Sequence, residues 1–152
     1  MPVNLAQRNN DSSAGTQYGS EALTHDIRVR VVPVFMPEHS APADRKFIFA
    51  YRIRIVNEGE RRVRLVSRRW VIVDAFGRTE EVCGEGVVGQ QPVLDPGEAF
   101  EYTSHCRLNT EWGTMEGMYR MHAEGVEPFD VAINRFYLVA RAVPPAEVHS
   151  AG

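Results

Sequence analysis

Gly84-Glu85-Gly86-Val87-Val88-Gly89 matches the pattern G-x-G-x-x-G. In a dinucleotide cradle such glycines let backbone N–H groups and a helix N-terminus approach a pyrophosphate. That chemistry requires a strand before the motif and a helix after it. Thr79–Cys83 reads as a short strand, but the stretch after Gly89 contains Pro92 and Pro96 and no helical apolar stripe. Glu80, Glu81 and Glu85 would also repel a pyrophosphate. The glycines are therefore expected to serve a loop that needs positive φ or close backbone packing. A phosphorylated nucleotide or a divalent cation held at Gly84, Gly86 and Gly89 is the alternative.

The densest basic feature is Arg61, Arg62, Arg64, Arg68 and Arg69, just ahead of Trp70. Guanidinium forks recognise carboxylates and phosphates through paired hydrogen bonds. Plain alternation puts Arg62, Arg64 and Arg68 on one face of a strand and Arg61 and Arg69 on the other. Trp70 is the only aromatic in the run and reads as core, so the interleaved aromatics of a single-strand nucleic-acid groove are missing. These five arginines are either a solvated strand face or a surface for a protein partner; nucleic acid is disfavoured.

Other reactive side chains do not assemble in sequence. His25, His39, His105, His122 and His149, with Cys83 and Cys106, contain neither H-x-x-x-H nor C-x-x-C. Ser104 and His105 are adjacent, and neighbours on a strand point to opposite faces. Ser67 lacks a G-x-S-x-G elbow. Cys83 has acidic neighbours that disfavour a thiolate. The expectation is no catalytic residue, no metal site and no cofactor.

The elements that must position these residues read as strands. Ile27, Val29 and Val31 alternate within His25–Phe35, with Pro33 marking an edge or bulge. Phe47–Asn57 alternates throughout, and Asn57-Glu58-Gly59-Glu60 supplies a turn. Val63–Val73 changes parity between Leu65 and Trp70, which predicts a bulge near Ser67–Arg68. Thr79–Cys83, Ala99–Leu108, Gly113–Ala123 and Pro128–Ala140 follow, the last changing parity between Ile133 and Phe136. About seven antiparallel strands predict a two-sheet sandwich of fibronectin type III or immunoglobulin kind.

The chain of 152 residues suits one domain, and its 43% hydrophobic and 24% charged content is ordinary for a soluble protein. The net charge of −3 disfavours a globally basic nucleic-acid binder. It conceals an asymmetry: residues 28–78 carry 12 basic and five acidic side chains, and residues 79–152 carry four basic and 12 acidic. Interleaved strands would cancel much of this difference. Residues 1–22 are expected to form a flexible polar arm without a signal-peptide core, 23–141 the folded domain, and 142–152 a tail. No apolar run is long enough for a membrane helix. A cytoplasmic location with two free thiols is expected.

Arg68-Arg69-Trp70, Gly84 to Pro92, Pro96-Gly97-Glu98, Tyr102-Thr103-Ser104 and Gly113-Thr114-Met115-Glu116-Gly117-Met118-Tyr119 together resemble the ApaG family in order and spacing. The resemblance covers roughly Thr24 to Ala140. It implies a fibronectin type III-like sandwich and places the glycine motif on a loop. The family's usual Gly after Tyr-Thr-Ser is His105 here. Bacterial members are linked by name to cobalt and magnesium efflux phenotypes, and related domains in larger proteins imply a protein-binding role. The functional expectation is a non-enzymatic interaction module with an unidentified protein partner, able also to associate with itself as a two-fold dimer.

Overall fold

The computed structural model describes residues 17–140. The expected C-terminal tail and most of the expected N-terminal arm lie outside the described residues. Nine strands form in order: β1 (Ser20–Thr24), β2 (Ile27–Phe35), β3 (Phe47–Asn57), β4 (Val63–Asp74), β5 (Thr79–Glu85), β6 (Val93–Leu94), β7 (Ala99–Leu108), β8 (Trp112–Ala123) and β9 (Phe129–Val139). Two 3₁₀ turns, Pro37–His39 and Pro42–Asp44, interrupt the β2–β3 connection. One sheet runs β1-β2-β3-β7 and the other β5-β4-β8-β9, with β6 paired to β4. All strand pairings are antiparallel. The fold is thus the antiparallel two-sheet sandwich that the alternating pattern predicts.

The inward faces make one core, because alternate residues of each strand point the same way. Phe49, Ile53, Ile55, Tyr119 and Phe136 are fully buried in it. Tyr51, Trp70 and Phe136 meet with ring centroids 5.5–5.9 Å apart. Trp70 meets the other two rings edge-to-face, which suits the ring quadrupoles.

Both parity changes are real. The β4–β8 register shifts between Leu65 and Ser67, leaving Val66 as the extra residue. Leu65 and Trp70 can both reach the core on that account. On β9, Asn134 and Arg135 oppose the single residue Glu116, so Ile133 and Phe136 both turn inward.

The bulge corrects the grouping of arginines by plain alternation. Arg68 lies beyond Val66 and shares the inward face with Trp70, whereas Arg62 and Arg64 face outward. The start of the fold also differs from expectation. Ser20, Glu21 and Ala22, assigned by sequence to the arm, pair with Val31, Arg30 and Val29. A two-residue turn joins β1 to β2, with His25 and Asp26 at φ 50° and 64°. Both central residues of such a tight hairpin need positive φ, and Asp tolerates it better than most.

Candidate functional site

The glycine motif is bound into its own loop. Gly86 has φ +63°, and a Cβ there would sit 2.1 Å from the Gln90 carbonyl oxygen. Only glycine fits. The Gly86 N–H donates to the Val66 carbonyl at 2.7 Å, and Val87 and Gln90 exchange N–H···O bonds of 2.8 Å. Val87 is thereby plugged into the core. Gln91 Nε2 donates to the Val66 carbonyl as well, at 3.1 Å. The bulged residue of β4 therefore supplies the acceptor that anchors the loop.

Arg68 completes the anchor. Its Nη1 donates to the carbonyls of Glu85 at 3.0 Å and Gly86 at 2.8 Å. Its guanidinium covers Gly84 so closely that a Cβ there would lie 2.7 Å from Nη2. Charge-assisted bonds to carbonyls hold the chain; they do not advertise a free cation. Gly84, Gly86 and Gly89 do lie together on one loop, but the N–H groups of Gly86 and Val87 already have partners.

Behind Arg68 lies a polar patch between the sheets. The Tyr102 and Tyr119 hydroxyls are 2.6 Å apart. Burial pushes both phenols above the ordinary tyrosine range, and Tyr51 is raised for the same reason. The Cys106 thiol is pushed up to about 12 by burial, with the Glu80 carboxylate adding to it. A thiol held protonated in this way is a poor nucleophile. Cys83 is exposed and forms no disulfide. No group of three or more His, Cys, Asp or Glu stands ready to hold a metal among the described residues.

The remaining arginines divide. Arg69 pairs with Glu81 at 2.7 Å and Arg62 with Asp95 at 2.6 Å. Arg61 and Arg64 are exposed and have no ion pair among the described residues. Arg61, Arg62 and Arg64 line an open hollow of about 710 Å³ with Val93, His122 and one acid, Glu124. Arg64 stands directly across from Val93 on β6 and His122 on β8. Arg61 also borders a second hollow of about 630 Å³, whose wall includes Asp26, Glu58, Glu60 and Glu127. One end of the sandwich thus offers a basic hollow beside an acidic one.

Of the five sequence-predicted arginines, the structure brings Arg61, Arg62 and Arg64 together. It takes Arg68 into the glycine loop and Arg69 onto the outer face of β4. His122 and Val93 join the hollow through strand pairing, which spacing along the chain does not reveal.

Comparison with known proteins fits this architecture. The ApaG domain family matches residues 37–123. The chain belongs to the ApaG family. Protein ApaG of Anaeromyxobacter sp. (strain K) is 54% identical over 120 residues, covering 79% of this chain and 94% of that one. Protein ApaG of Paramagnetospirillum magneticum is 53% identical over 115 residues, covering 76% and 88%. A crystal structure from Bordetella pertussis, described as an ApaA protein, aligns with a TM-score of 0.75 at 45% identity, over 80% of this chain and 99% of that one. The ApaG relatives carry no catalytic activity in their names. No helix among the described residues is long and apolar enough to cross a membrane.

Proposed function

We propose that this ApaG domain is a non-enzymatic docking module. Its basic hollow at Arg61, Arg62 and Arg64 takes a carboxylate-bearing segment of a protein partner. The observation that carries this is the exposure of Arg61 and Arg64 with no ion pair among the described residues, in a hollow where three arginines outnumber the single acid Glu124. A guanidinium left unpaired on a surface is free to donate to an incoming carboxylate. The neighbouring hollow, with Asp26, Glu58, Glu60 and Glu127, favours a protein over a nucleic acid. A uniform polyanion would be attracted at one hollow and repelled at the next, while a protein segment can present both signs.

Quantitative affinity capture tests the proposal, with wild-type protein and Arg61→Glu/Arg64→Glu used side by side. The expected outcome is a salt-sensitive partner lost on charge reversal and unaffected by Arg69→Glu. Identical capture by wild type and the double variant would refute it. A nucleotide or divalent cation that binds saturably at Gly84, Gly86 and Gly89 would instead favour the ligand-binding alternative.

A further inference from the structure

The four sheet edges are not equivalent. β1 and β9 close one side of the sandwich. Ser20 Oγ donates to the Asn134 carbonyl at 2.7 Å, Asn134 Nδ2 to the Glu21 carbonyl at 3.0 Å, and the Ala132 N–H to Thr24 Oγ1 at 3.2 Å. The opposite side ends in β5 and β7, each paired on one flank only. An unpaired strand flank is a template for another strand.

The two open edges differ in charge. β5 carries Glu80, Glu81 and Glu85 and no basic residue of its own, only Glu81 being paired, with Arg69 of β4. Two copies of it would repel. β7 is longer, at ten residues, and pairs only with β3. Beyond that ladder, its backbone N–H and C=O groups have no backbone partner among the described residues. Its exposed row reads Glu101, Thr103, His105, Arg107. The acid stands at one end and the bases at the other. Arg107 has no ion pair among the described residues. Glu101 meets Arg54 of β3 through Oε2, at 2.6 Å, which leaves Oε1 for a second guanidinium.

Such a row is complementary to itself when reversed. We infer that two copies of this chain dimerise by antiparallel pairing of their β7 edges about a two-fold axis at Ser104. In that register Glu101 of each copy faces Arg107 of the other, and Thr103 faces His105. On the inward row, Tyr102 falls opposite Cys106 and Phe100 opposite Leu108. Parity is kept, so the polar rows meet outside and the largely apolar rows meet inside, with Ser104 facing its own copy on the axis. The two four-stranded sheets become one continuous sheet, and an isologous contact of this kind closes without further growth. The hollow at Arg61 takes no part in the pairing, so this inference stands apart from the docking proposal.

Sedimentation velocity on the full chain, over a range of protein concentrations, tests the inference. Wild type forms a dimer. Arg107→Glu sets two carboxylates against each other twice per interface and weakens the dimer by at least about tenfold. Glu101→Arg does the same with guanidinium groups. Mixing the two single variants lets one copy of each restore an opposite-charge arrangement, so an equimolar mixture forms a heterodimer that neither variant forms with itself. Circular dichroism confirms that each variant is folded. A wild type that stays monomeric, a dimer indifferent to Arg107→Glu, or a mixture that remains monomeric would each overturn the inference.

Discussion

The loop Gly84–Gly89 and the hollow at Arg61–Arg64 both draw on β4, and they use its arginines in opposite ways. In the loop, Arg68 is committed to the carbonyls of Glu85 and Gly86, and backbone N–H groups to those of Val66 and Gln90. In the hollow, Arg61 and Arg64 face solvent without an acid partner among the described residues. In a motif that looks like a phosphate cradle, the N–H groups of Gly86 and Val87 are committed to carbonyls of the chain itself. A stretch that looks like an ordinary charged strand keeps two of its cations uncommitted. The difference separates groups that maintain the fold from groups that remain available to a partner.

The contrast breaks if glycine-loop substitutions leave the fold untouched. Gly86→Ala forces a left-handed φ on a side chain and drives Cβ into the Gln90 carbonyl. It should cost about 3 kcal/mol in urea denaturation. Gly89→Ala shares the positive φ but has nothing within 4 Å to strike, so a loss of about 1 kcal/mol is expected. Equal losses at the two sites would contradict the packing described for Gly86.

Arg68→Ala removes two charge-assisted bonds to the loop. A loss of about 2 kcal/mol is expected, with faster amide exchange through Glu85–Gln90. Tyr102→Phe leaves the buried Tyr119 hydroxyl without its partner and should cost about 1 kcal/mol. The tyrosines also set the alkaline limit. Folding raises Tyr51, Tyr102 and Tyr119 above their ordinary value near 10, and Cys106 above its ordinary value near 9. The stability linked to them is whole below those ordinary values and is lost as the pH climbs toward the folded ones. Stability measured at rising pH should therefore fall from about pH 9 upward, and less steeply in Tyr102→Phe.

The smallest effect on stability is the one that sharpens the comparison most. Arg61→Ala and Arg64→Ala should each change stability by no more than about 0.5 kcal/mol. The pair together should weaken capture of an acidic partner by about tenfold or more.

Much of the sandwich was legible because its strands bury one face. β3 alternates cleanly, and the parity breaks in β4 and β9 locate both irregularities to within a residue or two. β1 was not legible. Its inward row is Ser20, Ala22 and Thr24, while Leu23 points out, so no apolar alternation marks it. β6 is two residues long and carries no period at all. The candidate site was legible in part. The arginine run is plain in the sequence, but its division depends on the Val66 bulge, which turns Arg68 away from Arg62 and Arg64. The Tyr102–Tyr119 contact was out of reach, since it joins strands of different sheets.

Amide chemical-shift mapping during two titrations tests the central claim most directly. One uses a short glutamate-rich peptide and the other a nucleoside diphosphate. The account predicts salt-sensitive shifts with the peptide at Arg61–Arg64 and His122, and no saturable shifts with the nucleotide. Saturable nucleotide shifts at Gly84, Gly86 and Gly89, with no peptide response at Arg61–Arg64, would contradict it.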